Sequence, residues 1–173
     1  YVEADMNATG VAIDNRGAVM LSELSVEIGG QEIDKHFNHR LETWAELTEF
    51  NVAGRVGKLS ADNTYAAAPP TLYQKMSGSG GVRSNTSGHD HTHTCVPLPF
   101  WFSRNVGLAL PLIALQYHEV KVMIQYAAQA DFASGGAGAA IGASELWVDY
   151  IYLDTDERRR FAQVSHEYLI EQV

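Results

Sequence analysis

Two well-separated runs of strictly alternating apolar and polar residues constrain this chain more than any other feature. In residues 19–28 (VMLSELSVEI), Leu24, Val26 and Ile28 point one way and Ser25 and Glu27 the other. In the second run Val120, Val122, Ile124 and Tyr126 alternate with Lys121, Met123 and Gln125. A period of two with β-branched residues on one side is the pattern of a half-buried strand. Gly29-Gly30 closes the first run with a turn, because glycine takes a positive φ without steric cost. Residues 31–33 are expected to return as a short strand.

Helices are expected at two places only. Asp34 is placed as the N-cap of a helix over KHFNHRLETWAELTEF, where Phe37, Leu41, Trp44 and Thr48 form one stripe that Leu47 widens. Near the end, Asp154 caps a second helix with Glu157 three residues on, and the basic run Arg158-Arg159-Arg160 follows the acids in the order the helix dipole favours. Residues 51–95 read as a long excursion without core periodicity. In residues 96–102 (VPLPFWF), Pro97 and Pro99 lack N–H groups on the same side, the signature of an edge strand or extended arm. Residues 133–144 read as a small-residue loop. Residues 146–153 (LWVDYIYL) are apolar on nearly both sides and read as a central strand between two packed sheets. The order of strands, helix, strands and terminal helix implies an all-β class, a jelly-roll β-sandwich with helices in its loops. Phe100, Trp101, Phe102, Trp147 and Tyr150 are expected in its core.

Composition narrows the function. The 173 residues are 46% hydrophobic and 19% charged, which excludes global disorder and suits a sheet-rich or interface-rich protein. The formal charge of −9 repels phosphate backbones and anionic lipid, so direct nucleic-acid binding is not expected. A single cysteine, Cys95, excludes an internal disulfide. No run of roughly 18 apolar residues is present to form a transmembrane helix. Tyr1 opens in mid-pattern and Val173 ends within a helical pattern, as in an excerpt of a longer polypeptide.

Candidate chemistry is sparse. His89, His91, His93 and Cys95 are metal-ligand types, but a structural zinc site draws pairs of ligands from separated segments. His91-Thr92-His93 resembles the cupin metal motif without the Glu that should follow; Thr94, Cys95, Val96, Pro97 and Leu98 stand there instead. The stretch therefore reads as a polar exposed loop, with no metal, no cofactor and no catalytic residues expected. Gly135, Gly136, Gly138 and Gly142 lack the spacing of a dinucleotide loop and lead into a strand, not a helix. Glu3, Asp5 and Asp14 read as solvated charge. The arginine triplet reads as local ion pairs at a junction.

Three blocks are far more specific. LSVEIGGQEIDKHFNHRLETWAELT (24–48), VPLPFWFSRNVGLALPLIALQYHEVKVMI (96–124) and LWVDYIYLDTDERRRFAQVSHEYLIEQ (146–172) follow in that order. Together they resemble the major capsid proteins of nucleocytoplasmic large DNA viruses, the iridovirus, phycodnavirus and giant-virus group. The resemblance implies a double jelly roll and a non-enzymatic shell protein. Three chains would form a pseudo-hexameric capsomer, a homotrimer that tiles an icosahedral capsid with neighbouring capsomers and minor capsid proteins. Its place would be the virion, assembled in the host cytoplasm. Residues 1–154 would be the first roll, its opening strands not evident before Val19. Residues 155–173 would be the connector helix toward a second roll. Arg158, Arg159, Arg160, Phe161 and Tyr168 are then the assembly or junction candidates. The competing readings are a jelly-roll carbohydrate-binding module, which would expose Trp101, Trp147 and Tyr150 together, and a cupin-like metalloprotein on the histidine stretch.

Overall fold

The computed structural model describes residues 1–7, 11–12, 15–49, 58–59, 65–66, 71–79, 93–134, 140–167, 169–170 and 172. In chain order the strands are β1 (Val2–Asn7), β2 (Val11–Ala12), β3 (Leu21–Ile28), β4 (Gln31–Phe37), β5 (Lys58–Leu59), β6 (Tyr65–Ala66), β7 (His93–Val96), β8 (Val120–Tyr126), β9 (Ala133–Ser134) and β10 (Ala140–Leu146). The helices are α1 (Arg16–Val19), α2 (Asn38–Thr48), α3 (Leu72–Ser77), α4 (Trp101–Arg104), α5 (Gln129–Phe132) and α6 (Thr155–Gln163).

Two antiparallel three-stranded sheets carry the architecture, in the orders β10-β1-β7 and β4-β3-β8. They meet on one core. Val2 and Ala4 enter it from β1, Val96 from β7, and Leu21, Leu24 and Val26 from β3; Met20, Leu41, Leu98, Phe100 and Trp101 fill the space between. Both alternating runs are strands, and they lie side by side: Leu24 faces Ile124 and Val26 faces Val122. Gly29 and Gly30 turn the chain between β3 and β4 at φ 61° and 84°, a left-handed backbone that costs an L-residue roughly 1–2 kcal/mol.

The helix after β4 starts later than Asp34. That residue lies inside β4 with its side chain buried, 3.1 Å from His36 Nε2, and α2 begins at Asn38 with no side-chain cap. The buried face of α2 is Leu41 and Ala45, while Phe37, Leu47 and Thr48 are exposed. Burial pushes the His36 imidazole below its ordinary pKa, a shift the Asp34 charge opposes and Arg40 reinforces. The ring stacks on Phe100 with centroids 4.7 Å apart.

Three further expectations are corrected. The strand at the start of VPLPFWF is β7, which ends at Val96; Trp101 and Phe102 sit in the short helix α4, because the prolines interrupt the ladder before them. The stretch assigned to a small-residue loop contains β10, paired with β1 over Val2–Leu146 to Asn7–Ala140. The run after it is not a central strand. Among the described residues, 147–153 have no sheet partners beyond one backbone pair, Trp147 to Tyr1, and Trp147 and Tyr150 are exposed rather than core. Phe100 and Trp101 are buried and Phe102 is packed against the core, as expected.

Trp147 is 49% exposed, with its ring stacked on Tyr1 at 6.3 Å. Trp147→Ala is therefore expected to change the unfolding free energy of this chain by less than about 1 kcal/mol, well short of a core tryptophan's cost. Urea denaturation measures it, and a loss of about 3 kcal/mol would place the ring in a core.

Candidate assembly surface

Among the described residues, a contiguous run of exposed apolar side chains follows β10. Trp147, Val148, Tyr150, Ile151 and Tyr152 are all exposed, Tyr152 at 89%. The run is held at its start by two backbone bonds, the Tyr1 nitrogen donating to the Trp147 carbonyl at 3.0 Å and the Trp147 N–H to the Tyr1 carbonyl at 2.9 Å. Contiguous exposed apolar residues of this size mark surfaces that another protein surface covers. They do not form the sugar platform considered above, since Trp101 is 2% exposed and lies inside the sandwich.

Beyond the run, Asp154 caps α6 by accepting the Glu157 N–H at 2.9 Å, as the sequence predicts. The arginine triplet is exposed. Arg158 donates to the Leu153 carbonyl at 3.4 Å and Arg159 lies 3.8 Å from Asp156, so two of the three make local contacts at the base of the helix. Phe161 turns inward and stacks on His166 at 5.1 Å, and His166 Nε2 lies 2.7 Å from the Phe161 carbonyl oxygen. These two residues, with Val164 and Ile170, line a cavity of about 390 Å³ together with Ile28, Trp101 and Leu110. The Gln172 side-chain amide reaches the Ile33 carbonyl oxygen. The segment after α6 thus folds back along the sandwich. Tyr168, the remaining junction candidate, lies outside the described residues.

A second feature sits on the outer face of the β10-β1-β7 sheet. Alternation in β1 and β7 turns Val2, Ala4, Thr94 and Val96 inward, and so turns Glu3, Asp5, His93 and Cys95 outward. The register sets Glu3 opposite Cys95 and Asp5 opposite His93. His93 Nδ1 lies 2.7 Å from Asp5 Oδ1, and its Nε2 lies 2.8 Å from Glu3 Oε1 and 3.9 Å from Cys95 Sγ. The Asp5 hydrogen bond raises the His93 pKa above its ordinary value, and Glu3 adds to it. Partial burial, then the Glu3 charge, pushes the Cys95 thiol up. The sequence singles out His93 and Cys95 but not Glu3 and Asp5, which join them only through the ladder. His89 and His91 lie outside the described residues. Among the described residues no helix is long and apolar enough to cross a membrane.

Two sheets on a shared core, with helices in the connections, define a jelly-roll sandwich protein. A family model described as the major capsid protein N-terminus matches residues 3–154. The major capsid protein of Pyramimonas orientalis virus is 47% identical over 164 residues, covering 91% of this chain and 36% of that protein. Capsid protein 1 of Acanthamoeba polyphaga mimivirus is 40% identical over 169 residues, covering 93% and 28%. Among solved structures, PBCV-1 VP54, fitted into a cryo-EM reconstruction of the virophage Sputnik, superposes with a TM-score of 0.66 at 34% identity, covering 99% of this chain and 39% of that one. The chain belongs to the major capsid protein family of large DNA viruses, and its fold is the family's jelly roll. It spans about a third of the length of the curated relatives it matches.

Proposed function

We propose that this chain supplies the first jelly roll of a capsid subunit, with residues 155–173 beginning the connection to a second roll. Three copies of the subunit build one pseudo-hexameric capsomer, and capsomers tile the shell of the virion with minor capsid proteins at their edges. The observation that supports this most is the family match over residues 3–154, joined by a superposition on 99% of the chain with a subunit described within the PBCV-1 virus capsid. The exposed run from Trp147 to Tyr152 fits the same reading. The run immediately precedes α6 in the chain, and an apolar surface there is what a second roll would cover. The work of such a subunit is done by shape and lateral fit, so no reacting group is required of it, and the −9 charge suits a wall that does not hold the genome directly. The subunit acts as a structural protein and not as an enzyme.

Sedimentation equilibrium on the full-length protein tests the reading. The expected mass is three times that of one chain. A stable monomer at micromolar concentration removes the capsomer from the proposal.

A further inference from the structure

We propose that Glu3, His93 and Cys95 form a zinc site on the outer face of the β10-β1-β7 sheet, with Asp5 as the positioning residue behind His93. Carboxylate oxygen, imidazole nitrogen and cysteine sulfur all lie within 4.8 Å of one another, and together they are the donor types zinc takes. The two separations from His93 Nε2 are close to what the ion demands. Bonds of about 2.0–2.1 Å to nitrogen and oxygen and about 2.3 Å to sulfur set tetrahedral edges of roughly 3.4 Å for nitrogen to oxygen and 3.6 Å for nitrogen to sulfur. The observed separations from His93 Nε2 are 2.8 Å to Glu3 Oε1 and 3.9 Å to Cys95 Sγ. The carboxylate retreats by about half an ångström and the thiol advances by about a third, both within the reach of side-chain torsions on a fixed ladder.

The carboxylate that would orient the histidine is already in place. Metal-bound histidines hold their other ring nitrogen against a carboxylate, which fixes the tautomer and aims the free nitrogen at the ion. Asp5 does this at His93 Nδ1, 2.7 Å away. On binding, zinc takes the position of the proton now shared between His93 Nε2 and Glu3, and that proton and the Cys95 thiol proton are both released to solvent. The fourth position faces water, since His93 is 54% exposed. The ion would clip the edge strand β7 to the central strand β1 at the pairs Glu3–Cys95 and Asp5–His93. Such a clip is independent of the shell reading and stands or falls separately from it.

The test uses protein freed of metal by a chelator and titrated with Co²⁺ and then Zn²⁺. Binding of one Co²⁺ per chain with a thiolate-to-cobalt charge-transfer band and the intense visible bands of a four-coordinate ion is expected. Zn²⁺ should displace it and protect Cys95, the only thiol, from alkylation read by mass. Glu3→Gln keeps the shape of the side chain and should weaken binding at least tenfold; Cys95→Ser should abolish the charge-transfer band. Asp5→Asn should weaken binding by about 10–100-fold while leaving the band's position unchanged. The double variant His89→Ala/His91→Ala should bind as the parent does. Absence of the charge-transfer band, or binding lost in the His89→Ala/His91→Ala variant and kept in Glu3→Gln, overturns the assignment.

Discussion

Trp101→Ala lowers the unfolding free energy by about 3–5 kcal/mol, the range for truncating a large buried aromatic. Its side chain is 2% exposed and is among the largest fully enclosed in the described residues. The indole meets Phe102 edge-on, with centroids 5.0 Å apart and planes at 87°, and Phe102 stacks on Phe100 at 5.5 Å. Phe100 in turn stacks on His36, so the rings beside Trp101 are fixed by their own partners and cannot swing into the void. The lost transfer energy is therefore joined by a cavity cost that relaxation does little to reduce. Urea denaturation measures the change, and the expected signature is a lower midpoint at an unchanged slope. A cost below about 1 kcal/mol would mean that α4 does not sit between the sheets. The contrast with Trp147→Ala, in a neighbouring aromatic run of the same sequence, makes the pair of measurements a direct test of which tryptophan is inside.

That contrast also shows what the sequence could convey. Periodicity located β3 and β8 because one face of each meets the core and the other meets polar surroundings, and the acid order at Asp154 and Glu157 located α6. Residues 146–153 misled for a definite reason. Apolar character on both sides states that a segment is suited to cover, but not which surface supplies it, and among the described residues no strand flanks residues 147–153 beyond the Trp147–Tyr1 backbone pair. Asp34 misled in the opposite sense. A buried Asp34–His36 pair, with Lys35 between them reaching out to Glu23 at 2.9 Å, reverses the usual polarity of a strand and reads as a helix cap. Helix α3 carried a legible signal that periodicity alone passes over: Thr71 and Gln74 form a reciprocal capping box, Thr71 Oγ1 accepting the Gln74 N–H at 3.2 Å and Gln74 Oε1 the Thr71 N–H at 2.8 Å. The outer-face cluster was half legible. His93 and Cys95 stand two apart in the sequence, but Glu3 and Asp5 come from some ninety residues earlier, and only the β1–β7 register joins them.

Gly17→Ala should be nearly as damaging as the loss of Trp101, through space rather than through lost apolar contact. Gly17 is buried in α1, and a Cβ built on it falls 1.6 Å from the Ser77 carbonyl oxygen and 2.8 Å from its carbon. Both are backbone atoms, so no side-chain rotation relieves the overlap. The carbonyl also accepts the Ser79 hydroxyl at 3.3 Å, and the chain beyond it is pinned by the Gly17 N–H donating to the Gly78 carbonyl at 3.1 Å. Gly78 ends α3 at φ 60°, and its own Cβ would come within 3.3 Å of Gly17 N and 3.4 Å of Thr94 Cγ2. The two glycines thus let α1 and the end of α3 touch over β7, and separating them breaks that hydrogen bond as well as shifting a helix. Overpacking of about 1–3 kcal/mol and a lost buried hydrogen bond of about 1 kcal/mol together predict a loss of roughly 3 kcal/mol. For a chain of this size that corresponds to a fall in Tm of roughly 6–12 °C. Gly30→Ala is the control, since nothing lies within 4 Å of its would-be Cβ and only the left-handed backbone at φ +84° opposes the change. It should cost roughly 1–2 kcal/mol. Calorimetry on the two variants decides the matter: if Gly17→Ala melts no lower than Gly30→Ala, α1 and α3 are not in contact and the packing described for this corner of the sandwich is wrong.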